Sequence, residues 1–336
     1  MPVERQISDV HHVQLDDTPL SLERVRAAAA RLRGIAHRTA LLTCSALDEQ
    51  TGAKVFLKPE QFQRSGSFKF RGAYNRLSQL SSAQREAGVV AYSSGNHGAA
   101  VALAAFLVGT HATVVVPEDA AEAKVSAIAA YGADIRKYDP SHESREEIAR
   151  ELAASSGSVL VPPFDDYDIM AGQGTLALEL AADAGELDVV IVPVGGGGLI
   201  AGVGTVISSL MPRCRVIGVE PATADDTRRS LQSGDRYRLG SPPETIADGL
   251  RVLSPGEKTF AVNRRFLDSV VVVTEEQIVE AMRFCFERMK VVVEPSGAVG
   301  VAALLSGAVD GVGRRAGVVL SGGNVTAARF AELVER

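Results

Sequence analysis

The chain has 336 residues, a formal net charge of −6, 46% hydrophobic residues and 23% charged ones. That length can bury a large core and favours two domains over one, and the composition is globular rather than disordered. An acidic balance without a lysine or arginine run argues against nucleic-acid binding. Cys44, Cys214 and Cys285 are scattered without metal spacing, as in reduced cytoplasmic thiols.

Met1 to His12 is polar and lacks the apolar stretch of a signal peptide, so a cytoplasmic protein is expected. Leu22–Arg33 reads as a helix stopped by Gly34, with Arg24, Arg26, Arg31 and Arg33 as a solvated face. Lys54–Leu57 is strand-like and ends at Pro59; a small polar turn and a helix to about Leu80 follow. From Gly88 strands at 89–92, 112–116, 134–138 and 159–161 alternate with helices at 98–107, 121–131 and 143–154, enough for a small parallel sheet. A second alternation puts helices at 175–184, 199–210, 275–289, 296–305 and 327–334, and strands at 188–192, 215–219, 270–273 and 317–320. Ser233 to Arg265 is looser and holds several Gly and Pro residues. The uncharged stretch Val189 to Met211 is long enough to raise membrane crossing. Pro193 and the run of glycines interrupt it, so strand, loop and helix is the better account, with no membrane role. The class is therefore α/β, as two open units. Residues 1–85 and 165–336 form the larger, 86–164 the smaller inserted one, and ligands are expected beyond the carboxyl ends of strands.

Lys69 stands between Phe68 and Phe70, behind Ser65-Gly66-Ser67. An ammonium among aromatic rings loses hydration, which favours the neutral amine, a nucleophile towards aldehydes. Taken alone, a helix-start lysine reaching solvent is the plainer account. Gly195-Gly196-Gly197-Gly198 follows an apolar strand and opens a helix, where successive N–H groups cradle phosphate; a tight turn without a ligand is the alternative. Gly196, Gly198 and Ala201 also satisfy G-x-G-x-x-A spacing, with Glu220 closing the next strand, the outline of an NAD-dependent oxidoreductase. Ser93-Ser94-Gly95-Asn96-His97-Gly98 suits a small carboxylate, or simply a helix N-cap at Ser94 or Asn96. Ser321-Gly322-Gly323-Asn324 closes the last strand, where an ordinary glycine turn is the bland account.

These clusters, in this order, resemble the fold-type II pyridoxal-phosphate enzymes, nearest to the serine racemase and serine/threonine dehydratase branch. Ala171–Thr175, Val219–Pro221, Glu244–Gly249 and Glu294–Ala298 add to the match, which spans nearly the whole chain. The resemblance displaces the dinucleotide reading, which gives the lysine stretch no purpose. It implies a tryptophan synthase β-like fold of two open twisted α/β domains. It further implies that Lys69 forms a Schiff base with pyridoxal 5'-phosphate and that Phe68 packs on a ring face. The backbone of Gly195, Gly196, Gly197, Gly198 and Leu199 would take the phosphate. Asn96 would bond the ring hydroxyl with Gly249 nearby, and Ser321 would meet the pyridine nitrogen. A hydroxyl there makes a weaker electron sink than a carboxylate, which suits elimination or racemisation better than transamination.

By the same resemblance Ser93, Ser94, Gly95, Asn96 and His97 would clamp the substrate carboxylate. Arg145 is a weaker candidate that also reads as a surface helix arginine. Ser94 stands where racemases relay a proton to the second face of Cα. Glu220, Ala224 and Asp226 match a divalent-metal site suited to Mg²⁺ or Ca²⁺; without the resemblance Asp225-Asp226 reads as an acidic pair at a helix start. Ala99 replaces a glutamine that animal racemases use in nucleotide activation. No C-terminal regulatory domain of the biosynthetic threonine dehydratases is expected either. The implied activity is conversion of L-serine and L-threonine to pyruvate and 2-oxobutanoate plus ammonia. Serine racemase and 3-hydroxyaspartate dehydratase are the alternatives, and a homodimer is the implied assembly.

Overall fold

The computed structural model describes residues 20–335, and the N-terminal stretch weighed as a signal peptide lies outside them. The strands are β1 (Lys54–Pro59), β2 (Val89–Tyr92), β3 (Ala112–Pro117), β4 (Asp134–Tyr138), β5 (Val159–Leu160), β6 (Val189–Pro193), β7 (Arg215–Pro221), β8 (Ser269–Val273) and β9 (Arg315–Leu320). They form two parallel sheets, one of order β1-β9-β6-β7-β8 and one of order β4-β3-β2-β5. The smaller sheet takes all its strands from between β1 and β6, so one α/β unit is inserted in the other.

The apolar strands need helices on both faces, and the packing shows why. In β6, Val189 and Ile191 enter one core while Val190 and Val192 enter the other, all fully buried. Alternate side chains of a strand point to opposite faces, so a continuous Val/Ile run is covered twice. In the smaller sheet Val89 and Val114 face one core, Val90 and Val115 the other. Each such side chain contributes roughly 1.5–3 kcal/mol of burial.

Helices at Ser45–Thr51, Ser82–Ala87 and Glu257–Phe266 lie where the sequence predicts none, whereas Asp226–Ser233 starts at the acidic pair Asp225-Asp226. The helix expected from 175 starts instead at Tyr167, where the Asp166 carboxylate accepts from Asp168 N at 2.7 Å and Ile169 N at 3.0 Å. Gly172 and Gly174 disguise its first turns. A Cβ on Gly172 would sit 2.5 Å from Arg71 O and one on Gly174 2.8 Å from Gly202 O, so both admit neighbouring helices. Residues 189–211 divide into β6, the glycine turn and the helix Gly198–Leu210, and no helix among the described residues is long and apolar enough to cross a membrane.

Three loops gather where strand order reverses. The glycine turn leaves β6, which lies between β9 and β7; Ser321 leaves β9; and Ser93 leaves β2, which lies between β3 and β5. Crevices at such switch points are where open parallel sheets bind ligands.

Candidate active site

Ser67 forms an antiparallel bridge with Gly322, Phe68 N donates to Ser321 O at 3.0 Å, and Gly323 N donates to Gly66 O at 3.0 Å. To reach this staple the chain turns left-handed at Ser65 (φ 57°) and Gly66 (φ 74°). The serine pays about 1–2 kcal/mol for that conformation. Glycine is required next to it, because a Cβ on Gly66 would lie 2.2 Å from Asn324 Oδ1. Asn324 Nδ2 in turn donates to Ser65 O at 2.7 Å.

The helix Lys69–Leu77 starts directly after the staple, so its first side chain is aimed by it. Lys69 Nζ donates to Pro163 O at 2.6 Å and lies 5.1 Å from the centre of the Phe68 ring. No carboxylate pairs with it among the described residues. Burial without a counter-charge pulls the ammonium down to about 8. Such an amine is ready to condense with an aldehyde and to exchange a proton near neutral pH.

The glycine turn reaches φ 92° at Gly197, which caps the helix Gly198–Leu210 without any side-chain bond. The N–H groups of Gly195 to Leu199 donate to no described atom. Phe164 lies against the turn; a Cβ on Gly196 would be 2.2 Å from its ring. Leu199 is buried at the helix start. A row of free N–H groups at a helix N-terminus fits a phosphate.

Ser94, Gly95 and Asn96 line a cavity of about 800 Å³ together with Ser65, Glu294 and Asn324; Lys69 and the glycine turn are not part of its lining. Ser93 Oγ accepts from Gly95 N at 3.2 Å. Asn96 Nδ2 donates to Glu294 Oε1 at 2.6 Å, and Asn324 Nδ2 donates to Asn96 Oδ1 at 2.7 Å. Glu294, which in the sequence stands out only as part of a motif, is thus the partner that fixes Asn96. Burial, and then the charge of Asp248, push its carboxyl up to about 7. Gly249 N donates to Ser296 Oγ at 2.9 Å, and the buried Ser321 hydroxyl lies 3.4 Å from Ser296 O, so those two candidates share one neighbour. Phe68 packs partly buried against the core of the larger sheet.

Two candidates sit elsewhere. The His97 ring is buried, with Nε2 2.9 Å from Val161 O, and burial and then Lys69 pull its pKa down to about 3. Its ring is therefore a neutral interior group, and only its main chain remains for a substrate. Arg145 opens the helix Arg145–Ser156, donates from Nε to Glu146 Oε1 at 2.9 Å, and is absent from the cavity lining.

Glu220 at the end of β7 is buried and accepts from Thr227 N at 3.0 Å and Arg228 N at 2.9 Å. Both carboxylate oxygens of Asp226 are buried without a hydrogen-bond partner, and Ala224 beside them is buried too. Burial raises Asp226 to about 7, and burial together with Asp226 holds Glu220 well above the carboxylate range. Orphaned carboxylate oxygens fit a hard dication. No set of three His, Cys, Asp or Glu side chains gathers there among the described residues. These contacts also overturn the dinucleotide reading. Glu220 is bonded by the N–H groups of the next helix rather than free for a ribose.

The model of the family described as "Pyridoxal-phosphate dependent enzyme" matches residues 32–322. L-threo-3-hydroxyaspartate ammonia-lyase of Saccharomyces cerevisiae is 46% identical, over 91% of this chain and 94% of that protein. Serine racemase of Schizosaccharomyces pombe is 40% identical, over 93% of this chain and 96% of its own length. The structure of maize serine racemase superposes with a TM-score of 0.90 at 40% identity, covering 94% of this chain and 96% of that one. With a half-buried amine on a staple and a bare N–H row at a helix start, the chain belongs to the pyridoxal-phosphate-dependent enzymes of fold type II.

Proposed function

We propose that this enzyme eliminates the β-hydroxyl of L-serine and L-threonine as water, and that water then hydrolyses the resulting enamine, through its imine form, to pyruvate or 2-oxobutanoate and ammonia. The observation that carries the reading is the Lys69 amine, held on Pro163 O away from any carboxylate and lowered to about 8. When bound, the cofactor's ring accepts the electron pair left at the substrate Cα. The residues of this chain do the rest. Lys69 Nζ would hold the cofactor at its aldehyde carbon and, when freed, would take the substrate Cα proton. N–H groups of Ser93 to His97 hold the substrate carboxylate at a helix start. Asn96, fixed by Glu294 and Asn324, offers its amide to the ring hydroxyl, and Gly195 to Leu199 take the phosphate. The Ser321 hydroxyl meets the ring nitrogen, with Gly249 beside it. In the Glu220, Ala224 and Asp226 cluster, Mg²⁺ or Ca²⁺ would satisfy the buried carboxylates and stiffen the start of the helix Asp226–Ser233.

Two other outcomes have support of their own. Ser94 lines the cleft with a hydroxyl able to return a proton to the second Cα face, which favours some D-serine. The 46% identity to a hydroxyaspartate ammonia-lyase favours a substrate with a second carboxylate. We further propose a cytoplasmic homodimer, with the exposed Phe62 and Val292 as contact points for a second copy. The test is incubation with L-serine, L-threonine and L-threo-3-hydroxyaspartate, scoring 2-oxo acid and D-serine. Pyruvate in excess of D-serine, with turnover of L-threonine, is expected; turnover of hydroxyaspartate alone refutes the primary reading.

A further inference from the structure

Glycine turns are permissive, and an unrestrained one must be ordered when its ligand arrives. This turn is held in advance, from behind. Gly196 O accepts Thr259 Oγ1 at 2.6 Å and Gly256 N at 3.3 Å, while Gly197 O accepts Asn263 Nδ2 at 3.3 Å and Ala201 N at 3.0 Å. In a trans peptide the C=O and the following N–H point in opposite directions. Drawing the Gly196 carbonyl onto the helix Glu257–Phe266 therefore turns the Gly197 N–H away from it, and the Gly197 carbonyl does the same for Gly198 N–H. Those are members of the row that donates to no described atom.

We propose that Thr259 and Asn263 are positioning residues of the phosphate site, keeping the glycine N–H groups presented before the cofactor binds. The two stand four residues apart on one helix face and are fully buried. Asn263 Oδ1 is itself buried without a partner, so the amide is retained for its N–H donors. Both side chains pack directly on the turn: a Cβ on Gly197 would lie 2.6 Å from Asn263 Nδ2 and 3.1 Å from Thr259 Cβ. Asp165 seats the helix start, accepting from Lys258 N at 2.9 Å, Thr259 N at 3.1 Å and Glu257 N at 3.2 Å. Its neighbour Phe164 lies on the turn and Pro163 holds Lys69, so one short segment registers the turn against the lysine.

The proposal rests on the glycine turn taking the cofactor phosphate, and the experiment separates the two. The full chain, stripped of cofactor, is titrated with pyridoxal phosphate and with pyridoxal, which lacks the phosphate. If the wild type fails to prefer the phosphorylated form, the cradle assignment itself fails. Given that preference, Thr259→Val weakens pyridoxal phosphate binding about five- to tenfold, the equivalent of one ordinary hydrogen bond. Pyridoxal binding stays within about twofold, because nothing at the lysine changes. Thr259→Ser restores the wild-type affinity. Asn263→Leu, which keeps the volume and adds no charge but loses the donor, gives the same phosphate-selective loss and serves if Thr259→Val does not fold. Equal weakening of both ligands, unchanged phosphate affinity, or a Thr259→Ser variant as weak as Thr259→Val overturns the proposal.

Discussion

Glu294→Gln is the most informative single change. The carboxyl is buried, bonded by Asn96 Nδ2, and faced by Asp248, which itself pairs with Lys124. Between its ordinary value of 4.5 and its folded value of about 7, the folded state binds the proton that the unfolded chain has released. Stability from this group is thus full below 4.5 and lost as pH rises through 7. At about 1.4 kcal/mol per pH unit the window is worth about 3 kcal/mol. Glutamine keeps an oxygen for the Asn96 amide and never ionises. In urea unfolding the variant should exceed the wild type by about 1 kcal/mol near pH 5.5 and about 3 kcal/mol near pH 8.5. A difference that stays constant with pH, or shrinks as pH rises, refutes the reasoning.

Cofactor capture by the stripped enzyme should accelerate with pH and level off above about 8, as Lys69 loses its proton. Lys69→Ala should lose the visible absorbance of the covalent cofactor and at least about 10³ in turnover; a coloured, borohydride-sensitive variant contradicts the assignment. Ser94→Ala should cut D-serine formation more than L-serine elimination, and equal losses argue against a proton on the second face. A chelator should lower the melting temperature of the wild type by a few degrees, reversibly with Mg²⁺ or Ca²⁺, and leave Asp226→Asn unmoved. No shift in the wild type would remove the metal from the account.

What the sequence discloses, and what it hides, follows from which atoms do the bonding. The turns after β2, β6 and β9 are legible because glycine, serine and asparagine are demanded by backbone shape. The helix Glu257–Phe266 is not. Its inward face carries Thr259 and Asn263 because it meets carbonyls rather than apolar side chains, so the 3.6-residue hydrophobic period is blurred. Pro163 escapes notice since it contributes only a main-chain oxygen. His97 misleads for the opposite reason: a polar residue in a functional-looking loop spends its ring on the interior bond to Val161. Glu294 stands far from Asn96 in sequence, and only the meeting of the two units reveals the pair.

The staple between Ser67 and Gly322 has a consequence for biosynthesis. A nascent polypeptide emerging from the ribosome displays its lysine early, yet the partners that aim it, Ser321 to Gly323, are translated long after it. β1, too, waits for β9, the one strand it pairs with among the described residues. The cofactor seat is therefore unfinished until β9 and the turn after it have been made.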